Sequence, residues 1–158
     1  MKLNIGCGYE PKEGFINLDK AKQVYPDVVC DIEHGIPYPD NTFDYIYSKH
    51  TLEHVRPQQW KFVLEEIYRV AKPNAILELI LPFDNIMRRC NYDHYRTFSF
   101  GTFRQLYVGN ERNYYCKMRL KPLFKEPVLP LKLLFYLFPL LKSEVHYKFK
   151  IVKERRQK

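Results

Sequence analysis

The groups able to do chemistry sit where short apolar runs stop. Lys2–Gly8 reads Lys-Leu-Asn-Ile-Gly-Cys-Gly, a brief strand signal closed by two glycines around a cysteine. Phe15–Asp19 and Val28–Asp31 read as second and third strands, each ending on an acid. Glycine at a strand end permits positive φ and lets a ligand approach the backbone. In open parallel sheets ligands sit beyond the carboxyl ends of the strands. A carboxylate at the second end is placed to accept from ribose hydroxyls. One at the third end can accept from the exocyclic amine of a base. The three ends together favour a nucleoside.

A dinucleotide is the poorer fit. Its fingerprint needs a third glycine where this chain has Pro11, and the Gly6–Phe15 connection is too short for a full helix. No helix N-terminus is then aimed at a pyrophosphate. A cofactor with ribose and adenine but no phosphate fits better, and S-adenosylmethionine is such a molecule.

Histidines 50, 54 and 94 are candidate proton carriers, because imidazole titrates near neutrality. Arg88, Arg89, His94 and Arg96 form a candidate cradle for an anionic acceptor. His50-x-x-Glu53-His54 also matches the inverted zincin pattern. It abuts a strand and has no evident third ligand, so no metal is expected.

These groups need a framework. The chain has 158 residues, 46% hydrophobic and 16% aromatic, enough for one domain with one core and too apolar for disorder. A fourth strand is read at Phe43–Tyr47 and one helical turn over residues 50 to 55. Next comes a helix opened by Pro57, with Trp60, Val63, Leu64, Ile67, Val70 and Ala71 on one face. Pro73-Asn74 ends it, and Ala75–Leu81 is a fifth strand. This order predicts a parallel α/β sheet. Beyond Pro82 the sequence predicts a polar loop at 93–96 and a helix over Ser99–Val108. A strand pair is expected at Tyr114–Leu120 and Val145–Val152.

Four separated cysteines (Cys7, Cys30, Cys90, Cys116) fit neither a zinc ribbon nor a disulfide scaffold, and no secretory signal is read at the N-terminus. A reduced, cytoplasmic protein is expected. The net charge of +8 is carried by the last part of the chain. Residues 111–158 hold 13 Lys/Arg against 4 Asp/Glu, leaving 13 against 14 of the totals of 26 and 18 before them. Such asymmetry suits an anionic partner. Pro127–Leu141 is apolar but broken by Pro130 and Pro139, too short to span a bilayer.

With these residues in view, the chain resembles a known family. Leu3–Gly8 is similar to motif I of class I S-adenosylmethionine-dependent methyltransferases. The run Asp31–Ser48 resembles their acid followed by Leu-Pro-Phe-x-Asp-x-Ser-Phe-Asp, and His50–Val55 resembles the stretch after strand four. Glu65–Asn74 resembles the segment ending Arg-Val-Leu-Lys-Pro-Gly-Gly. The likeness covers roughly residues 2 to 82 and is of the compact type-11-like kind.

The resemblance implies an α/β, Rossmann-like, mostly parallel seven-stranded sheet with an antiparallel last strand. Residues 1–158 would form one domain, with a cofactor half at 1–82 and an acceptor half at 83–158. Asn4, Gly6, Cys7, Gly8, Asp19, Asp31, Ile32, Ser48 and His50 would make up the cofactor site. Within it Gly6, Cys7 and Gly8 meet the amino-acid portion and Asp19 the ribose. Asp31 and Ile32 flank adenine, while Ser48 and His50 lie beside the methionine end. His50 and His94 are the candidate catalytic groups. The family's helices before strand one and after motif I are not read here, so helix cover on one face should be reduced. Pro127–Leu141, a second copy or a membrane would then cover that face. The implied activity is methyl transfer to an unidentified acceptor. The alternative is a non-catalytic module binding membrane or, on charge alone, nucleic acid.

Overall fold

The computed structural model describes residues 1–83, 93–110, 113–124 and 144–153. Its frame is a seven-stranded sheet in the order β3-β2-β1-β4-β5-β7-β6. The strands are β1 (Lys2–Ile5), β2 (Ile16–Asp19), β3 (Val28–Val29), β4 (Phe43–Lys49), β5 (Ala71–Pro82), β6 (Leu120–Pro122) and β7 (Glu144–Ile151). β1 to β5 pair in parallel; β7 runs antiparallel to both β5 and β6, so it alone is reversed. The expected Rossmann-like sheet is therefore present. Chain order reverses at β1, whose Ile5 pairs with Leu18 on one side and Ser48 on the other. That is the switch point where α/β sheets bind ligands.

One sheet face is dry. Leu3, Ile5, Ile46, Leu77, Leu79, Tyr147 and Phe149 are fully buried. Helix α1 (Trp60–Val70) lays Val63, Leu64, Ile67 and Val70 into the same core. Each such side chain contributes about 1.5–3 kcal/mol of burial. Phe98, Phe103, Tyr147 and Phe149 extend this layer as a chain of ring contacts, with centroids 4.9 to 6.2 Å apart. On the other face Tyr45, Tyr47, Ile76, Glu78 and Ile80 are only half-buried, and Lys2, His146 and Lys148 are exposed. Among the described residues α1 is the one α-helix, so cover is reduced on that side, as expected. Pro127–Leu141, expected to cover it, lies outside the described residues.

Several boundaries differ from the sequence reading. Pro57–Gln59 is a turn, and α1 starts at Trp60. It ends at Val70 because Ala71 turns extended and pairs with Phe43, so Pro73-Asn74 falls inside β5 instead of capping a helix. Asn74 does take the left-handed conformation, with φ 67°. Ser99–Val108 forms turns and a 3₁₀ segment at Arg104–Leu106. There the Ser99 N–H donates to Thr102 Oγ1 at 2.8 Å, a local bond that competes with a helix. Tyr114–Leu120 is a strand only from Leu120. Arg119 Nη1 donates to the carbonyls of Cys116 and Met118, engaging the acceptors a ladder would use.

Candidate active site

A short β1–β2 connection has to be held without a helix. Asn17, buried on β2, does this: its Oδ1 accepts from Asn4 Nδ2 at 2.9 Å and from the Lys12 N–H at 2.7 Å. Its Nδ2 lies 3.2 Å from the carbonyls of Lys12 and Phe15. Asp27 Oδ2 accepts from the Asn17 N–H at 2.7 Å and from Asn17 Nδ2 at 3.0 Å, and these two bonds hold its carboxyl below its ordinary range.

With the connection pinned, the glycine turn opens over the strand ends. Gly6 and Gly8 have φ of 69° and 51°. At Gly6 a Cβ would collide with Thr51, lying 2.5 Å from Cγ2 and 2.8 Å from Cβ. Gly8 has open space beside it, and its N–H donates to Asp19 Oδ2 at 2.9 Å. Asp19 Oδ1 accepts from the Ala21 N–H at 2.9 Å. A carboxylate offers about four acceptor sites, so two remain. Asp31 caps the 3₁₀ turn Ile32–His34 by accepting from the Glu33 N–H at 3.0 Å.

Around these groups lies a cleft of about 820 Å³, within the range of small-molecule sites. Gly6, Gly8, Asp19, Asp31, Ile32 and His50 all line it. Three other expected cofactor residues stand off its wall. Asn4 bonds to Asn17 within the sheet. Cys7 is buried, and burial and then Asp19 push its thiol up. Ser48 is fully buried and donates from Oγ to the Ile5 carbonyl at 3.1 Å, because its β4 position faces the core.

The opposite wall holds histidines and acids. His50 follows β4 with φ 51°, its Nδ1 3.2 Å from Glu53 Oε1 and its Nε2 2.7 Å from Glu144 Oε1. The bond to His50 pulls the Glu144 carboxyl below its ordinary range. Residues 52–54 form a 3₁₀ turn, so His50 and His54 do not share an α-helical face as a zincin requires. His54 instead meets His94 with ring centroids 4.9 Å apart. The Arg96 guanidinium lies over Trp60, 4.8 Å from the ring centroid. Arg88 and Arg89 lie outside the described residues. Sequence reasoning missed Thr51, Val55, Arg56, Asp93 and Tyr95 on the wall; the small residue at 6 was the one signal that something crowds it.

The fold is of the Rossmann-like kind, a mostly parallel sheet with the cleft at its switch point. Residues 3–79 match the family model described as a methyltransferase domain. A curated relative, the probable methyltransferase ltbC of Aspergillus luteorubrus, is 44% identical over 48 residues. That stretch is 30% of this chain and spans 17% of the relative's length. Among solved structures, an S-adenosylmethionine-dependent methyltransferase from Archaeoglobus fulgidus superposes with a TM-score of 0.63 at 18% identity. The match covers 96% of this chain and 85% of that one. The Burkholderia thailandensis 1,6-didemethyltoxoflavin-N1-methyltransferase, solved with S-adenosylhomocysteine, gives 0.61 at 12% identity over 96% and 71%. At such identities these structures establish the fold alone.

Proposed function

We propose that this chain binds S-adenosylmethionine in the cleft at the β1–β4 switch point and transfers its methyl group to an acceptor entering past His50 and Tyr95. The observation that carries the reading is the meeting of Gly6, Gly8, Asp19 and Asp31 on one cleft wall, inside the segment that matches the methyltransferase domain. The cofactor supplies the activated methyl group. Asp19 has two acceptor sites left for ribose hydroxyls, and Asp31 stands ready for the adenine amine beside Ile32. The Gly6–Gly8 turn gives the amino-acid portion close backbone approach. The chain's contribution to rate is holding donor and acceptor in line, worth up to roughly 7–11 kcal/mol. His50, held between two carboxylates, and His94 are the groups assigned to move a proton if the acceptor carries one.

The reading takes residues 1–82 as the cofactor half and 83–158 as the acceptor half of one domain. It places Arg88, Arg89, His94 and Arg96 at an anionic acceptor. No helix among the described residues is long and apolar enough to cross a membrane. Cys7, Cys30 and Cys116 carry free thiols, which supports a reducing, cytoplasmic setting. The half-open sheet face supports a second copy of the chain there, and Pro127–Leu141 a peripheral membrane contact. Light scattering and flotation with anionic liposomes test these two. The central test is calorimetry with S-adenosylmethionine. Binding that is lost in Asp19→Ala supports the reading, and no binding at millimolar cofactor sinks it.

A further inference from the structure

We propose that Glu53, His54 and His94 form a site for one first-row divalent transition-metal ion on the acceptor-side wall of the cleft. The donor atoms of these three residues all lie within 4.8 Å of one another. Donors placed 2.0–2.2 Å from one ion stand at most about 4.4 Å apart, so closing the set takes only small side-chain rotations.

The independent observation is Glu53 itself. It is 0% exposed, and its Oε2 has no hydrogen-bond partner among the described residues. A buried carboxylate oxygen left without a partner is costly, and native structures rarely keep one without a reason. Its other oxygen, Oε1, is already held by His50 Nδ1 at 3.2 Å, which fixes the orientation of the group. His54 is oriented too. Its Nδ1 lies 3.0 Å from the Asp93 carbonyl, a bond in which the ring N–H donates and Nε2 keeps the lone pair. Such outer bonds to carbonyls and carboxylates set which nitrogen of a metal-binding histidine is free. The Tyr95 N–H donates to the Glu53 carbonyl at 2.9 Å, which ties the segment carrying His94 to the turn carrying Glu53 and His54.

Two imidazoles and one carboxylate select an imidazole-preferring ion such as zinc, iron(II) or nickel(II) over magnesium, calcium or manganese(II). Three protein donors leave positions open for water or for an oxygen of a bound molecule. His54, Asp93 and Tyr95 line the same cleft as Asp19 and Asp31, so that molecule would be the methyl acceptor. This last use rests on the methyl-transfer reading; ion binding does not.

The test titrates the metal-depleted full chain with Co²⁺ alone, read by calorimetry and by visible d–d absorption, with no cofactor present. One Co²⁺ per chain is expected, with the absorption lost in His94→Ala and affinity down at least tenfold in His54→Ala. In His34→Ala, away from the cluster, binding should be unchanged. Glu53→Gln should also abolish binding, and the two histidine variants keep the test decisive if that buried change fails to fold. Failure of Co²⁺ to bind, or stoichiometric binding that persists in His94→Ala, overturns the proposal. A chain that binds Co²⁺ but no S-adenosylmethionine would keep the metal site and refute the methyl-transfer reading.

Discussion

His50 Nε2 stands 2.7 Å from Glu144 Oε1 across 94 residues of sequence. The contact ties the carboxyl end of β4, beside the cleft, to the first residue of the reversed strand β7. His146 Nε2, 3.5 Å from Glu144 Oε2, also faces the carboxylate. On the other side of His50 stands Glu53.

The Glu144 carboxyl, held below its ordinary 4.5 chiefly by the bond to His50, makes stability depend on acid. A depressed folded value means the stabilisation is present above the unfolded value and is lost as pH falls through the folded one. Glu144→Gln should therefore cost about 1–2 kcal/mol at neutral pH. The difference from the unaltered chain should shrink as pH drops below 4.5. Urea unfolding at a series of pH values measures this, and a difference constant down to strong acid would contradict it.

Asp19 has one oxygen on the Gly8 N–H and one on the Ala21 N–H, both at 2.9 Å. Asp19→Asn keeps the size but removes the charge. Loss of charged hydrogen bonds worth about 1.5–3 kcal/mol should weaken S-adenosylhomocysteine binding ten- to a hundredfold. Calorimetry reads the affinity, and circular dichroism checks that the sheet is intact.

The two glycines of the turn should respond differently to alanine. Gly6→Ala meets both a left-handed φ and the side chain of Thr51, whereas Gly8→Ala meets only the φ. The φ strain alone costs about 1–2 kcal/mol. Thermal unfolding should rank Gly6→Ala clearly below Gly8→Ala. Thr51→Ala should recover only part of the loss at Gly6, because Thr51 Cβ itself would lie 2.8 Å from the new methyl.

Arg69 fastens the loop after Asp31 onto α1. Nε and Nη2 donate to Glu66 at 2.7 and 2.8 Å, Nη2 also to the Ile36 carbonyl, and Nη1 to the Tyr38 carbonyl and Asp40. Lysine cannot reproduce that fork. Arg69→Lys should destabilise by about 2 kcal/mol, the scale of losing charged hydrogen bonds. The cost should fall in acid, since Arg69 also holds the Glu66 carboxyl below its ordinary range. Denaturant titration at two pH values checks both parts.

Much of residues 2–82 was legible because the signals there are local. Leu3 and Ile5 before Gly6, and Leu18 before Asp19, announce strands ending in functional groups, since alternation and turn residues act within a few positions. The second half was less legible. Phe103 is buried against Tyr147 and Phe149 of β7, Phe98 against Trp60 and Phe103, and Phe100 against Phe83, rather than on a helical stripe, and Ser99 and Thr102 bond to each other instead. Propensity cannot anticipate a partner strand that lies more than forty residues on.

The sequence by itself determined the sheet's first strands, the glycine turn and the two acids, because backbone freedom and alternating burial are properties of neighbouring residues. Only the tertiary structure decided which side chains face the cleft. Register turned Ser48 into the core and Asn4 onto Asn17. A positive φ at His50 aimed its ring at Glu144, and the return of the chain at Asp93 brought His94 to Glu53 and His54. The physical reason is that such pairings depend on strand register and long-range packing, where a shift of one residue moves a side chain to the opposite face.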